Sequence, residues 1–422
     1  MEKFDLLLAV FLVVLPSCID STGQGRVRPT GLFWGSGASA AFVDDSIPLI
    51  AFYMDSGGRP IGAPRPAVTW QSSDSTVIRV LSDSLLVAFD TGSAILTATT
   101  LSGPALVLSF SMIVLPRMTG RMIWIRQEAG SQPLDPLGLA LRDFPGQKVV
   151  HVPGFGGGGS GRARLPRDRR IAATYGPRPA SSTAFQALYL LDLEAGSSRI
   201  LLDSMPGHQI WPVWLPGDTL IAFLANRTGA WEVWTVRADG TDARRRTNLS
   251  APRPPFFDVA PDGNLVIVLP KASGGELWEL TLAGDSVRRF SPSLNVWDWP
   301  SVSPDGQVIA YVAGTSDSPT LGALNQVWMV NRDGSSPRRL VPPRPVVTIH
   351  DGTPSTQIAQ TLSPSWTSDG AYVLIEWTVD PFLQSDGRFY STLGEIYAVR
   401  VADGRAIRLT RWGLLDAQAA FR

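Results

Sequence analysis

Apolar positions in the second half of the chain fall in short runs broken by Asp-Gly or Pro-Asp-Gly, and the runs recur in one order. Trp211-Pro-Val-Trp-Leu-Pro-Gly-Asp218 is followed by Leu-Ile-Ala-Phe and by Glu-Val-Trp-Thr-Val-Arg-Ala-Asp-Gly240. Asp258-Val-Ala-Pro-Asp-Gly263 precedes Leu-Val-Ile-Val and Glu-Leu-Trp-Glu-Leu280; Ser301-Val-Ser-Pro-Asp-Gly306 precedes Val-Ile-Ala-Tyr and Gln-Val-Trp-Met-Val-Asn-Arg-Asp-Gly334. Pro364-Ser-Trp-Thr-Ser-Asp-Gly370 leads to Tyr-Val-Leu-Ile and Glu-Ile-Tyr-Ala-Val-Arg-Val-Ala-Asp-Gly404, and a fainter copy begins at Leu165-Pro-Arg-Asp168. With Pro166, Pro216, Pro261, Pro304 and Ser368 taken as equivalent, the steps are 50, 45, 43 and 64 residues. Repeats of roughly 40–50 residues made of short strands have the spacing of propeller blades.

Each repeat has room for four strands. Strand a runs up to the Pro-Asp-Gly turn, b is the apolar run after it, c is the Val-Trp-x-Val stretch and d the Arg-Arg-Leu stretch. Asp and Gly tolerate the positive φ of tight hairpins, so the turns have a physical cause. Beyond the N-terminus no segment sustains a helical period. The x-P-x-W-S-P-D-G-x-x-I-A-F pattern of these copies resembles the repeat of the TolB family over about residues 117–422. That resemblance implies a propeller fold. Propellers of that type serve as periplasmic scaffolds, as substrate gates of peptidases and in some cases as lyases.

The ends of the repeat array predict how it closes. Residues 121–127, 139–142 and 148–152 make three strands without a first one. Asp416-Ala-Gln-Ala-Ala-Phe-Arg422 fits a strand a with Phe421 in the place of Trp366. The C-terminus is therefore expected to complete the N-terminal blade, pairing strand edges that would otherwise be exposed. The expected fold is all-β: a small immunoglobulin-like β-sandwich followed by a six-bladed β-propeller closed by the C-terminal strand.

The sandwich is read from residues 31–116, where alternating runs include Leu49–Tyr53, Val68–Trp70, Val77–Val80, Ile95–Thr99 and Leu106–Val114. Trp70-Gln-Ser-Ser with Val77, and later Gly92-Ser-Ala-Ile-Leu-Thr-Ala98, resembles the bacterial group 2 immunoglobulin-like domain, whose implied role is a spacer or adhesive module at the cell surface. About 85 residues suit one small sandwich. Ahead of it, Leu6–Leu15 is an uninterrupted apolar run preceded by Lys3. It is too short to span a bilayer and suits a signal-peptide core. Leu15-Pro-Ser-Cys18 resembles the lipobox of bacterial lipoproteins, which implies lipidation of Cys18. Pro16, Glu2 and Asp5 depart from that pattern, and an ordinary signal peptide is the alternative. The expected divisions are a signal peptide over 1–17, a flexible tether over 18–30, the immunoglobulin-like domain over 31–116 and the propeller over 117–422. Ile19, not Asp, follows Cys18, which points to the outer membrane.

Composition narrows the partners. There are 37 basic and 37 acidic residues, so nothing favours nucleic acid. Five arginines within Arg162–Arg170 read as a solvated loop and strand edge rather than an anion site. Cys18 is the lone cysteine, so no intramolecular disulfide forms. Gly154–Gly161 is glycine-rich, but no Gly-Lys-Ser/Thr and no helix follow, so it does not read as a phosphate cradle. There is no Gly-x-Ser-x-Gly elbow, and a peptidase of the propeller-plus-hydrolase type would need a catalytic domain after residue 422. His151, His208 and His350 all fall between a strand d and the next strand a. Three histidines on one face could hold a metal, and the resemblance to propeller lyases makes a metal-dependent polysaccharide lyase the enzyme alternative. Unrelated loop histidines are the simpler reading, since their neighbourhoods share no motif.

Loop lengths separate the two faces. The a–b and c–d turns are short. The b–c and d–a connections are long, as at 176–186, 314–326, 378–394, 153–165 and 341–362, and show no strand or helix pattern. Long loops on a rigid scaffold commonly carry function. The same face collects Trp211, Trp297, Trp299 and Trp412, which suit a sugar or peptide ligand, the alternative being packing between blades. The candidate ligand residues are Trp211, Trp297, Trp299 and His208, with Phe382, Phe389 and Tyr390 in a loop expected to fold over the channel mouth. No catalytic residue, metal or cofactor is assigned. The reading is a monomeric, lipid-anchored envelope protein with a non-enzymatic binding or scaffolding role, its partner an envelope protein, peptide or glycan.

Overall fold

The computed structural model describes residues 28–34, 40–49, 51–56, 60–61, 66–128, 138–144, 148–156, 164–165, 170–177, 185–272, 274–315, 324–341, 345–350, 353–358, 361–377, 382–383, 389–390, 394–410 and 413–421. Contacts divide the chain into two compact units. One holds residues up to Met118 together with 346–356 and 380–391; the other holds 119–345, 357–379 and 392–422. Among the described residues the structure is all-β apart from the single 3-10 turn Pro292–Leu294, and no helix is long and apolar enough to cross a membrane.

In the first unit, Ala40–Phe42, Val107–Leu115, Gly92–Thr100 and Val68–Ser72 form a four-stranded sheet in that order. Ser46–Pro48, Leu85–Ala88 and Ile78–Ser82 form a second sheet, and Gly31–Trp34, Ala51–Met54 and Pro60–Ile61 a third. Alternation sends every second side chain inward. Along Gly92–Thr100, Ala94, Leu96 and Ala98 are buried while Ile95 is exposed. The inward residues of the sheets share one core, in which Trp70 meets Phe110 edge-on at 6.2 Å. The runs read from sequence at Val68–Trp70 and Ile95–Thr99 fall within these strands, and the run read at Leu106–Val114 is the strand Val107–Leu115. The short strands Ala40–Phe42 and Ser46–Pro48, too brief to show a period, were not anticipated.

The second unit repeats one sheet. Gln209–Trp214, Leu220–Ala225, Glu232–Arg237 and Arg244–Arg245 pair in sequence order, antiparallel throughout. So do Phe257–Val259, Leu265–Pro270, Gly275–Leu280 and Ser286–Arg289, and likewise Val296–Val302, Val308–Thr315, Leu324–Asn331 and Arg338–Arg339. Thr361–Trp366, Tyr372–Trp377, Glu395–Arg400 and Ala406–Arg408 complete the series read from the repeats. The fainter copy is a three-stranded sheet of Ile171–Pro177, Gln186–Asp192 and Ser197–Ile200, where the place of strand a is held by one bridge between Arg164 and Ala173.

The remaining sheet joins the two ends of the unit. Gly413–Phe421 pairs antiparallel with Gly120–Glu128, which pairs with Gly138–Phe144 and through it with Val149–Gly156. Phe421 is buried and packs against Phe144 with ring centroids 5.6 Å apart. The C-terminal residues thus supply the strand that the N-terminal three lack.

Strand a carries a recurring irregularity. Trp211, Trp299 and Ser363 each precede a proline, have φ of 57°, 50° and 53°, and lie where the register with strand b slips. A bulge at these points bends the strand and turns one residue out of the ladder. Buried charge is also tied down. Glu232, at the start of a strand c, accepts from the main-chain N–H of Leu249 and Ser250 and from Thr247, so the connection to the next sheet is pinned to this one.

Candidate functional site

The first strands of successive sheets surround a common cavity of about 490 Å³. Its wall is made by the ends of these strands and the turns that follow them, including Trp214, Asp258, Ser301, Ser365, Trp366 and Phe421. It therefore lies at the short a–b turns, the mouth away from the long connections. Adjacent first strands are stitched side chain to main chain. The indole N–H of Trp214 donates to the Arg164 carbonyl at 3.2 Å, and that of Trp366 to the Ser301 carbonyl at 3.0 Å. In the sheet between, where the repeat has Val302 instead of Trp, the Asp258 carboxylate accepts from the Val302 N–H at 2.9 Å. Arg164 also approaches Asp258, 3.5 Å away, with both side chains about nine-tenths buried. Replacing both with apolar groups would satisfy packing equally well, so a desolvated pair facing a cavity is a candidate recognition element.

Neither charge was singled out from sequence, though the repeat held the signal. Arg164 stands where Trp214 and Trp366 stand in other copies, two positions before the reference residue. Asp258 stands where the others have Val213, Ser301 and Ser365. The other arginines of the basic cluster divide: Arg170 pairs with Asp192 and Glu194 on the exterior, and 162, 167 and 169 lie outside the described residues.

The long-connection end is aromatic. Trp211 is buried, donates its indole N–H to the Phe257 carbonyl at 2.8 Å, and lies 4.5 Å from the Phe256 ring. Phe256 in turn lies 6.4 Å from Trp299. Trp211 therefore joins two neighbouring sheets, and the packing alternative weighed for it describes its position. Trp297 differs, being 39% exposed. Between Trp297 and Trp299 on their strand, burial pushes the Asp298 carboxyl up to about 7, with Arg253 pulling the other way.

His208 is half-buried between Phe185 and Trp231, with ring centroids 5.1 and 6.0 Å away. Its Nδ1 accepts from the Gln186 N–H at 3.3 Å, which leaves only Nε2 to face a ligand. No group of three His, Cys, Asp or Glu side chains that could hold a metal occurs among the described residues. The side chains of His151 and His350 lie outside them, as do Cys18 and Trp412.

Two long connections hold more structure than their sequence suggested. Pro345–His350 pairs with Thr353–Ile358, and Phe382–Leu383 pairs with Phe389–Tyr390. The side chains of Phe382, Phe389 and Tyr390 lie outside the described residues. Residues 380–391 group with the first unit, not with the sheets from which they emerge.

Comparison with known proteins supplies architecture. No family model matches the chain. A stretch of 133 residues, 31% of the chain, is 26% identical to an uncharacterized protein of Agrobacterium fabrum, and the match spans 44% of that protein's length. TolB from Acinetobacter baumannii is similar in structure with a TM-score of 0.53 at 16% identity, over 79% of this chain and 80% of that one. A putative TolB from Agrobacterium tumefaciens gives a TM-score of 0.47 at 15% identity, over 70% of this chain and 91% of that one. The likeness to the Acinetobacter protein shows that the repeated sheets form a β-propeller. One such fold hosts many activities, so function rests on the site.

Proposed function

We propose that this chain is a cell-envelope binding or scaffolding protein without catalytic activity, and that a polypeptide partner enters the central cavity at the short-turn mouth. The observation that carries this reading is the cavity itself. It is wide enough for side chains and ringed by hydroxyls and main-chain groups, and a buried Arg164–Asp258 pair stands in its wall. Such a ring suits an extended peptide, whose amides need donors and acceptors on all sides. The sheets are read as six blades closed by Gly413–Phe421. The first unit is read as an immunoglobulin-like spacer, and Cys18 as the lipidated residue that tethers a monomer to the outer membrane. The long-connection face, favoured from loop length, is the opposite end of the same channel.

A photo-crosslinking side chain at Ser368, on the exposed rim of the cavity, tests the choice of mouth. The expected result is a covalent adduct with one envelope protein, lost when Ser365→Trp fills the cavity. Crosslinking only from a probe on the other face, at Arg253, rejects the cavity. The anchor is tested separately: Cys18→Ala should move the protein to the soluble fraction, because two or three acyl chains hold far better than one. Unchanged membrane partition would reject lipidation.

A further inference from the structure

The long-connection end of the repeated sheets carries a constellation that the polypeptide reading does not use. Trp297 lies on strand Val296–Val302 and is the one exposed tryptophan among the described residues. Its indole is held by glycines. A Cβ added at Gly314 would fall on the pyrrole edge of the ring, and one at Gly274 would come within 3.7 Å of the ring nitrogen. Gly314 is fixed in turn by Asn295, whose main-chain carbonyl accepts from the Gly314 N–H at 3.2 Å and whose side chain donates to the Gly314 carbonyl. One edge of the indole is thus seated on backbone while the rest faces outward.

Polar groups stand beside it. The Asp298 carboxyl is largely desolvated and accepts no hydrogen bond among the described residues; its one charged neighbour is Arg253. Arg253 donates through Nη2 to the carbonyls of Gly274 and Lys271, holding the glycine that flanks the indole. Its other guanidinium donors have no partner among the described residues. Asp298 and Arg253 interact through space without forming an ion pair.

We propose that Trp297, Asp298 and Arg253 form a binding subsite for a neutral saccharide. The apolar C–H face of a pyranose covers an exposed indole, and its hydroxyl rim both donates and accepts. Asp298 offers the acceptor and Arg253 the donors. The desolvated carboxyl and its cationic neighbour decide the class of ligand. Burial disfavours charge on Asp298, which would worsen beside an anion, and Arg253 disfavours a cation, whereas a neutral polyol can pair with both groups. A half-buried carboxyl lacking a hydrogen-bond partner costs free energy that a hydroxyl donor would recover. The glycines explain why the indole is rigid, so little entropy is lost when a ring stacks on it.

The test titrates full-length protein with maltohexaose, cellohexaose and N-acetylchitohexaose, reading tryptophan fluorescence and calorimetry. At least one should bind. Trp297→Ala and Arg253→Ala should each weaken it roughly tenfold or more, as for a central aromatic or Arg contact, with the melting temperature unchanged. Asp298→Asn should weaken it less, since the amide still accepts. If Trp297→Ala disturbs folding, Trp297→Phe keeps the ring and should retain partial binding. The proposal is overturned if none of the three sugars binds at 20 mM. It is equally overturned if binding is indifferent to Trp297→Ala and Arg253→Ala, or if a Lys-rich or Asp-rich peptide binds this site in place of the sugars.

Discussion

At the scale of single residues, the turn glycines separate two roles. Gly217 and Gly240 have nearly the same φ, +96° and +92°. An added Cβ at Gly217 meets nothing within 4 Å, whereas at Gly240 it would lie 2.8 Å from the Leu201 carbonyl of the preceding sheet. Gly217→Ala should therefore cost about 1 kcal/mol, the left-handed strain alone. Gly240→Ala should cost more, because backbone has to move; urea unfolding of the two variants checks the difference, and equal losses would mean the contact is unimportant. Asp298 makes a second prediction. Its folded pKa, about 7, lies above the ordinary carboxyl value, so the folded protein holds that proton more tightly than the unfolded chain. The resulting stability is complete below the unfolded pKa and is lost as pH rises through about 7. Asp298→Asn should flatten the fall in stability between about pH 4 and pH 7 and should stabilise the protein at the upper end. An unaltered slope would point to another group. Neither effect was legible from the sequence, where Gly217 and Gly240 both sit in short turns of Gly and Asp and nothing marks Asp298 as buried.

At the scale of elements, strands b and c were legible because each is a continuous apolar or alternating run. Leu220–Ala225 and Glu232–Arg237 fall on the stretches read from the repeat. Two-residue strands were legible only where the repeat marks them, as at Arg244–Arg245 and Arg338–Arg339; outside the repeat they were not, since a period needs more than one turn of the pattern. That is why the segment after Thr378 reads as structureless and yet contains the ladder of Phe382–Leu383 with Phe389–Tyr390. The strands flanking this hairpin pair with each other as far as Trp377 and Glu395. Replacing residues 380–392 with a short Gly-Ser turn should therefore leave the sheet intact, changing stability by only about 1 kcal/mol through loop closure. Loss of cooperative unfolding in that variant would show that the hairpin supports the sheet it leaves. Trp211, Trp297 and Trp299 were grouped from sequence as residues of the d–a connections, whereas they stand within the first strands of their sheets, and their division was not foreseen. Trp211 joins neighbouring sheets, whereas Trp297 keeps an exposed face.

At the scale of the whole molecule, the pairing of Gly413–Phe421 with Gly120–Glu128 makes the last residues a structural part of the first sheet. Deleting 413–422 should expose a strand edge and remove Phe421 from beside Phe144, lowering the melting temperature of the second unit as a whole. Melting like the full chain would mean that the terminal strand is an ornament. Hydrogen exchange offers a finer reading: protection should fall in sheets far from the deletion as well as in the first.

The sequence by itself determined the repeat, the strand order within each repeated sheet, the turn chemistry and the terminal strand that completes the N-terminal sheet of the repeat array. All of these depend on local pattern, on Asp-Gly turns and on alternation within a few residues of chain. Only the tertiary structure decided which mouth of the channel holds a cavity, which tryptophans are packed, and that Arg164 and Asp258 face each other across 94 residues of chain. Those outcomes depend on how separate strands meet around an axis. Burial and partnership there are set by neighbours distant in sequence, and a repeat that looks uniform along the chain acquires two unlike ends once it is wound into a ring.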